Sequence, residues 1–297
     1  MSTLVSKKLF IVNPISGGKD KSFLPTLLKK ELKDAHYELI YTNGPEHATS
    51  IAVDGIKRGF TDFIAVGGDG TVNEVAKALI GTEFNMGILP QGSGNGLARH
   101  NKIPMQMAGA VRLLNNPNVK RIDTCKLNNM PFINASGVGF DAHIGKLFSE
   151  NKHGKRGFST YFNMTVNEFK NYKSQNYAIT ADGVKLDNNA FLITFANSSQ
   201  YGNNAFIAPS ASMTDGMIDL CIMKPFPPLN IIELGFKLFT GGINDSMYVE
   251  SVKAKVITVH RESAGDIHLD GEPFQSGRDI TVEIVPNSLN LLILGDN

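Results

Sequence analysis

The strongest constraint on the fold is a short apolar run followed by a glycine-rich loop, a pairing that occurs three times in the first third of the chain. Glycine adopts positive φ and lets a ligand approach the backbone closely. The free amides of a helix N-terminus attract anions. One such loop is also typical of an ordinary strand-to-helix turn with an aspartate cap, but the repetition favours a phosphate-binding edge. The predicted strands are 9–12, 63–66 and 86–89, and the loops are 13–18, 67–71 and 90–96.

Helical patterns separate these strands. A further strand is predicted at 37–41, and apolar residues recur at three- and four-residue spacing over 24–35, 46–58, 72–80 and 105–115. Alternating strands and helices favour a parallel sheet with right-handed crossovers. Ligands of such sheets bind at the carboxyl ends of the strands, where the glycine loops would lie. We therefore predict an α/β nucleotide-binding domain over residues 1–122.

The pattern changes after about residue 120, where strand-like runs follow one another with few helices between them. We predict a mostly antiparallel, β-sandwich-like domain over 123–288, with 289–297 as a candidate strand of the first domain. Its predicted helices are 158–172 and 229–240, the second opened by Pro227-Pro228 and closed by Gly241-Gly242. The strands predicted after residue 120 are 131–135, 177–184, 190–197, 218–223, 252–260, 265–269, 280–285 and 289–294.

Composition excludes several classes of protein. The formal net charge of the 297 residues is +1, which gives no overall attraction to nucleic acid. Cys125 and Cys221 have neither metal-ligand nor disulfide-framework spacing. No apolar stretch reaches the roughly 18 residues that a membrane span needs, and the N-terminal apolar run is too short for a signal peptide. We expect a cytoplasmic protein with at most peripheral membrane contact.

Two acidic turns stand out in the second half. Asp215-Gly216 precedes a predicted strand, and Asp270-Gly271-Glu272 places two acids around a turn. From the residues alone, the alternative to a functional site is a turn cap for Asp215 and a solvated hairpin tip for residues 270–272. The polar loop 197–204 follows a predicted buried strand, where it could line a site or form ordinary surface.

Six ordered motifs resemble those of the diacylglycerol kinase catalytic superfamily, which includes bacterial lipid kinases and sphingosine kinases. Their order and approximate spacing agree over nearly the whole chain. The motifs are residues 13–18 (NPISGG), 67–75 (GGDGTVNEV), 89–95 (LPQGSGN), 134–142 (NASGVGFDA), 208–219 with Ala208-Pro209 and DGMID, and 270–272 (DGE).

The resemblance implies two domains with a cleft between them and ATP-dependent phosphorylation of a lipid hydroxyl, with Mg²⁺ as cofactor. It implies that Glu272 accepts the hydroxyl proton, and that Asp69 acts beside the metal and phosphate by binding metal, sharing the base role, or both. Mg²⁺ maps to Asp215 with the carbonyls of Ser212 and Met217. Implied nucleotide contacts are Asn13, Pro14, Ile15, Ser16, Gly17, Thr42, Gly67, Gly68, Asp69, Gly70, Thr71, Val72, Asn73, Glu74, Ser93 and Asn95.

Two departures leave the substrate open. Many diacylglycerol kinases have an acid at the position of Gly96; the small residue here is more similar to sphingosine kinases. In contrast, Gly139-Phe140-Asp141-Ala142 keeps the form found in bacterial lipid kinases. A sphingoid-base kinase, an enzyme similar to NAD kinases and a non-catalytic binding module are the alternatives.

A lipid substrate also implies a membrane-facing surface. The candidate is 146–173, which combines basic and aromatic residues; a solvated basic loop before a core helix explains it equally well. The residues are Lys146, Lys152, Lys155, Arg156, Phe148, Phe158, Tyr161 and Phe162.

Overall fold

The computed structural model describes residues 6–18, 20–33, 36–150, 158–169, 171–186 and 188–295. The chain forms two compact units, one of Met1–Ile122 with Asn287–Asn297 and the other of Asp123–Pro286. The first unit contains β1 (Lys7–Val12), α1 (Leu24–Glu31), β2 (His36–Tyr41), α2 (His47–Lys57), β3 (Asp62–Gly67), α3 (Asp69–Leu79), β4 (Asn85–Pro90), α4 (Gly96–His100) and α5 (Met107–Leu113).

The second unit follows a strand, β5 (Pro117–Leu127), that begins in the first. Its other elements are β6 (Met130–Phe132), β7 (Ala135–Gly139), α6 (Phe140–Glu150), α7 (Phe158–Phe169), β8 (Gln175–Ala181), β9 (Val184–Lys185), β10 (Asn188–Ala190), β11 (Leu192–Ala196), β12 (Ile218–Met223), α8 (Ile231–Thr240), β13 (Val249–Ala254), β14 (Val256–Arg261), β15 (Gly265–Leu269), β16 (Glu272–Ser276) and the first part of β17 (Asp279–Leu294).

A parallel sheet organises the first unit. Its strands run in the order β4-β3-β1-β2, and the last residues of β17 pair in parallel with β4 through Asn290 and Asn85. Successive residues of the central strands β1 and β3 are buried, so both faces of these strands are covered. Among the helices, α2 packs with α3 and α1 with α5. Burial of a side chain such as Phe10 or Phe63, both without exposed surface, contributes about 1.5–3 kcal/mol.

Two antiparallel sheets form the second unit. One includes β10-β8-β14-β17, and the other has the order β13-β12-β11-β7-β15-β16. Side chains of both sheets share one core, in which Ile193 and Leu220 of the second sheet lie with Ile179, Val259 and Val282 of the first. The predicted class, a parallel α/β unit followed by an antiparallel β-sandwich-like unit, is confirmed.

An aromatic cluster anchors the helices of the second unit. Phe140 of α6 packs against Phe191, with ring centroids 4.5 Å apart, and Phe169 of α7 packs against Phe226 at 5.1 Å. A short 3-10 turn that starts at Pro228 leads into helix α8. Gly241 caps the end of the helix in the left-handed conformation, with a φ of 79°.

Several predicted boundaries in the second half are wrong. The run 131–135 is split into β6 and β7, because the carboxylate of Asp270 accepts the amides between them. The runs 190–197 and 252–260 are each divided between two strands, whereas 280–285 and 289–294 form the single strand β17. The pattern also missed β5, α6 and β16: β5 begins with exposed polar residues, and β16 contains Pro273.

Candidate active site

The glycine-rich loops of the first unit leave the carboxyl ends of three adjacent strands. Val12 pairs with Val66, and Gly67 pairs with Pro90. Two backbone hydrogen bonds continue these ladders into the loops, from Asn13 N to the Val66 carbonyl at 3.0 Å and from Gln91 N to the Gly67 carbonyl at 2.7 Å. The sheet therefore brings the three loops to one edge, as the alternation of strands and helices predicts.

Asp69 joins two of these loops. Its Oδ2 accepts the amide of Asn95 and its Oδ1 the amide of Gly96, each at 2.8 Å. Burial raises the pKa of the Asp69 carboxyl, and the two amide hydrogen bonds act in the opposite direction. The acid among these glycine-rich loops is thus explained first by loop architecture, because this carboxylate fixes the 90–96 loop on the first turn of α3.

The glycines are needed where the loops touch one another. A Cβ on Gly92 would lie 2.6 Å from the Cα of Gly68, and a Cβ on Gly17 would overlap the Gln91 carbonyl. Gly17 also has a φ of 67°. These residues therefore let three backbone segments close on one another. Gly18, with a φ of 63° and open space around it, leaves the backbone accessible.

Side chains complete the loop edge. Asn13 Nδ2 donates to Thr71 Oγ1 at 3.1 Å, and Asn13 Oδ1 accepts the amide of Ile15 at the same distance. Pro14, Ile15 and Ser93 are exposed at the rim. Gly68 is the N-cap of α3 and Gly70 lies in its first turn, where the amides have no partner within the helix. Amides without a partner in the helix, beside an exposed rim, suit the phosphates of a nucleotide.

Other residues predicted to contact nucleotide support the surrounding structure. Thr71, Val72 and Asn73 are buried. Glu74 accepts the amide of Ala48 at 2.9 Å, so its carboxylate caps the first turn of α2. Thr42 is buried at the end of β2, where its amide donates to the Val12 carbonyl at 2.8 Å.

In the second unit, Asp270 holds the turn that contains Glu272. Its carboxylate accepts the amides of Ile133, Asn134 and Ala135 at 2.7–3.0 Å. Burial raises the pKa of Asp270, and these amide hydrogen bonds work against that rise. Asp270 is thus an internal anchor rather than a solvated hairpin tip, and it fixes the start of β16, where Glu272 lies half-buried.

A buried polar network lies behind this turn. Asp141 Oδ2 lies 3.0 Å from His268 Nε2 and accepts the hydroxyl of Tyr201 at 3.0 Å. Asp141 Oδ1 accepts the amide of Ala142 at 2.8 Å. The amide of Gly271 lies 3.4 Å from His268 Nδ1. His268 therefore connects the Gly-Phe-Asp-Ala motif to the turn before Glu272, although the two are far apart in sequence.

The predicted metal ligands lie near a lysine. Asp215 Oδ2 accepts Lys253 Nζ at 2.7 Å and Asp215 Oδ1 accepts the Met217 amide at 3.1 Å, while Asp219 Oδ2 lies 3.2 Å from the same Nζ. Burial works to lower the pKa of Lys253, but its contacts with these carboxylates raise it. Oxygen ligands suit Mg²⁺ chemically, but an ammonium holds this position. With Lys253 in contact with both carboxylates, the side chains around Asp215 do not fit a Mg²⁺ ion in this arrangement.

The described residues contain no group of three or more His, Cys, Asp or Glu side chains arranged to hold a metal ion. No helix within the described ranges is long and apolar enough to cross a lipid bilayer. Of the basic–aromatic segment 146–173, Lys146 lies 3.3 Å from Asp266. Lys152, Lys155, Arg156 and the side chains of Phe148, Phe158, Tyr161 and Phe162 fall outside the described part, so this surface stays a prediction.

Sequence reasoning missed several residues that shape these sites. Lys21 Nζ donates to the Ser16 carbonyl at 2.7 Å, and Arg99 Nε donates to the Gly94 carbonyl at 3.1 Å. Asp123 accepts the amide of Gly216 at 2.8 Å. His268 lies four residues before Glu272, which was its only signal in the sequence, and Lys253 gave none.

The comparisons with family models agree with this division of the chain. Residues 7–127 match the diacylglycerol kinase catalytic domain. Residues 134–293 match the YegS C-terminal domain, described as similar to the β-sandwich of NAD kinase.

Individual proteins match over most of the chain. A Yersinia enterocolitica protein named "Probable lipid kinase YegS-like" is 30% identical over 76% of this chain and 77% of its own length. A Pseudomonas aeruginosa protein of the same name is 29% identical over 82% and 80%. The crystal structure of a candidate diacylglycerol kinase from Bacillus anthracis superposes with a TM-score of 0.77 and 25% identity, covering 97% of both chains.

Proposed function

Given that the chain belongs to the lipid kinase family that joins a diacylglycerol kinase catalytic domain to a YegS-type C-terminal domain, we propose that it transfers the γ-phosphate of ATP to a lipid hydroxyl. The observation that most supports this is the contact of Asp69 with both the Asn95 and Gly96 amides. This contact joins the 67–71 loop to the 90–96 loop at the N-terminus of α3, an arrangement that suits the binding of a polyphosphate.

On the nucleotide side, we propose that the triphosphate lies against residues 13–17, 67–74 and 93–95. The rim residues Ile15 and Ser93 are exposed, so Ser93 can donate its hydroxyl to a phosphate oxygen. Asp69 would be a positioning residue that sets the distance between loops. Phosphoryl transfer depends mainly on such positioning and on charge neutralisation.

On the lipid side, Glu272 is the proposed general base. The lipid oxygen attacks the γ-phosphorus, its proton passes to the Glu272 carboxylate, and the bond from the γ-phosphorus to the bridging oxygen breaks to release ADP. Asp270 holds Glu272 at the start of β16 through three backbone amides. A base must be held firmly, because proton transfer works only at hydrogen-bond distance.

The Mg²⁺ that accompanies ATP would reduce the negative charge of the phosphates. Among the residues that the structure describes, Arg99 and Lys21 place cationic groups beside the loops of the first unit, through the carbonyls of Gly94 and Ser16. Both donate to loop backbone, and we propose that they stabilise the cradle.

The acceptor lipid is proposed to be uncharged at its reacting end, as diacylglycerol is. In the sphingoid-base alternative, an acid near the Gly-Phe motif would recognise an amine. Here Asp141 is buried and accepts donors from Tyr201 and Ala142, with His268 Nε2 at 3.0 Å. A carboxylate engaged in this way favours a neutral lipid over an aminolipid.

Radiolabelled ATP offered with a lipid panel tests the proposal. The panel contains diacylglycerol, sphingosine, ceramide, phosphatidylglycerol and polyprenol, and a separate reaction contains NAD. We expect label in diacylglycerol or a related neutral lipid. NADP as the only labelled product would contradict the proposal in favour of the NAD-kinase alternative, which the description of the C-terminal domain makes worth testing. Label in none of these compounds would favour a binding module.

A further inference from the structure

The outer face of α8 is apolar. Ile232, Phe236 and Phe239 are 80%, 70% and 37% exposed, and Leu229, in the turn before the helix, is 92% exposed. Their spacing of three, four and three residues places them along one helix face. The opposite face carries Leu234, which is only 4% exposed and belongs to the core. A surface helix normally turns polar residues outward, so the strongly exposed Leu229, Ile232 and Phe236 mark an interaction surface. These three side chains, with the less exposed Phe239 at the end of the row, are here called the α8 stripe.

The charged groups beside the stripe are compensated within the protein. Lys237 Nζ lies 2.8 Å from Glu233 Oε1 and donates to the Asp245 carbonyl at 3.1 Å. Asn230 donates to the other oxygen of Glu233 at 3.0 Å. Charges on α8 are therefore balanced, and the stripe presents an uncharged apolar surface without electrostatic preference for an anionic partner.

The Leu229 end of the stripe is the most exposed, and the segment before it is packed firmly against the protein. Exposure falls steadily along the stripe, from 92% at Leu229 to 37% at Phe239, so the N-terminal end of the helix protrudes most. Pro227 and Pro228 restrict the backbone just before Leu229. Phe226 anchors this segment in the aromatic cluster, with ring centroids 5.1 Å from Phe169 and 5.4 Å from Phe191.

We propose that the α8 stripe is the surface by which this protein enters the interface of a lipid bilayer, with the Leu229 end inserted most deeply. The inference rests on the proposed function, since a kinase of a bilayer lipid must reach its substrate there. A protruding end with paired charges suits a neutral bilayer. This surface differs from the basic segment 146–173, which would depend on anionic lipid.

The test compares the wild type with the double variant Ile232→Ser/Phe236→Ser. A matched control, Val184→Ser/Val256→Ser, removes two apolar side chains that are 63% and 40% exposed elsewhere in the same unit. Binding is measured by co-sedimentation with phosphatidylcholine vesicles, at low salt and at about 0.5 M salt, where charge interactions are largely screened. Oligomeric state is measured by light scattering. Both replaced stripe residues are exposed, so we expect the variant to fold normally. Thermal melts check this.

We expect the wild type and the control to bind these neutral vesicles equally at both salt concentrations. The stripe variant should bind at least about tenfold more weakly, because two large apolar side chains no longer leave water. Three results would overturn the proposal: equal binding by the stripe variant, wild-type binding only to anionic vesicles, or a dimer that the stripe substitutions dissociate while vesicle binding stays unchanged.

Phosphate transfer to a water-soluble short-chain diacylglycerol separates this inference from the proposed function. If the stripe variant phosphorylates the soluble lipid normally but loses activity on long-chain lipid in vesicles, both are supported. Normal activity of the stripe variant on vesicles would overturn the stripe alone. If no lipid is phosphorylated while binding still depends on the stripe, the proposed function fails and the bilayer surface stands.

Discussion

Several acidic residues of the sequence motifs hold backbone segments together through their carboxylates. Asp69 is the clearest example, because both carboxylate oxygens accept amides of the 90–96 loop. The acid could be predicted to lie at a phosphate-binding edge, but its partners could not, since they follow strand β4 and meet Asp69 only in the folded sheet. Asp270 and Asp141 act similarly in the second unit.

Replacing Asp69 with Asn tests this positioning role. The amide NH₂ would face the N–H of Asn95 or Gly96, which leaves one buried donor without an acceptor. We expect a loss of about 1–3 kcal/mol in the free energy of unfolding, together with weaker ATP binding. Calorimetric titration with ATP and chemical unfolding measure the two effects. Asp54→Asn is the control, because Asp54 is exposed on α2 and lies 3.9 Å from Arg58. Unchanged stability and ATP affinity in Asp69→Asn would contradict the role.

The contacts of Lys253 lead to a prediction about the effect of Mg²⁺ on the stability of the Asp215 turn. With the ammonium between Asp215 and Asp219, millimolar Mg²⁺ should leave the melting temperature of the wild type nearly unchanged. In Lys253→Met, the two carboxylates lose their cation, and we expect a loss of roughly 1–3 kcal/mol that added Mg²⁺ partly restores. Lys255→Met, on an exposed neighbour, is the control. Stabilisation of the wild type by Mg²⁺ that disappears in Asp215→Asn would instead support the predicted metal site.

His100, the last residue of α4, predicts a pH dependence. Burial, with a smaller effect of Lys120, lowers the pKa of His100 to about 4. The unfolded chain therefore binds the proton more tightly, and stability present above about pH 6.5 is lost as the pH falls towards 4. His100→Gln should flatten this part of the stability curve. The same change at exposed His36 should leave the curve as in the wild type, and an unaltered slope in His100→Gln would reject the assignment.

Among secondary-structure elements, those of the first unit were predictable and several of the second were not. Strands β1, β3 and β4 are apolar runs bounded by glycine or polar residues, and local pattern finds them because both faces are buried. In the second unit, β6 and β7 are separated by contacts with Asp270, which is more than a hundred residues away in sequence. Long-range hydrogen bonds of this kind decide boundaries that periodicity cannot.

The contact between the 67–71 and 90–96 loops gives a prediction at this scale. In Gly92→Ala, the added Cβ would lie 2.6 Å from Gly68 Cα, so the two loops must separate. We expect about 1–3 kcal/mol lower stability and markedly weaker ATP binding. Gly44→Ala is matched, because no atom lies within 4 Å of its added Cβ. Similar ATP affinity in the two variants would show that the loops need not touch.

At the scale of the whole molecule, the sequence motifs identify the family and the two-unit architecture, and the family models match both units. They do not identify the acceptor of the proposed kinase or the surface that we propose enters a bilayer. Those properties depend on which side chains remain exposed or engaged after folding. The apolar α8 stripe is one example, because none of the six motifs contains it. The Asp141 carboxylate is another: the residue lies in the Gly-Phe-Asp-Ala motif, but its partners Tyr201 and His268 lie outside all six motifs.

The most direct test of the lipid kinase proposal is the rate of radiolabelled phosphate transfer from ATP to diacylglycerol by the wild type, Glu272→Gln and Glu262→Gln. Glu262 is an exposed glutamate of the same unit and serves as the control. Loss of a general base lowers the rate by about 10²–10⁴-fold, so we predict a fall in kcat of that size for Glu272→Gln, with Glu262→Gln equal to the wild type. Equal rates for Glu272→Gln and the wild type would contradict the role of Glu272, and no transfer to lipid by any of the three would contradict the proposed activity.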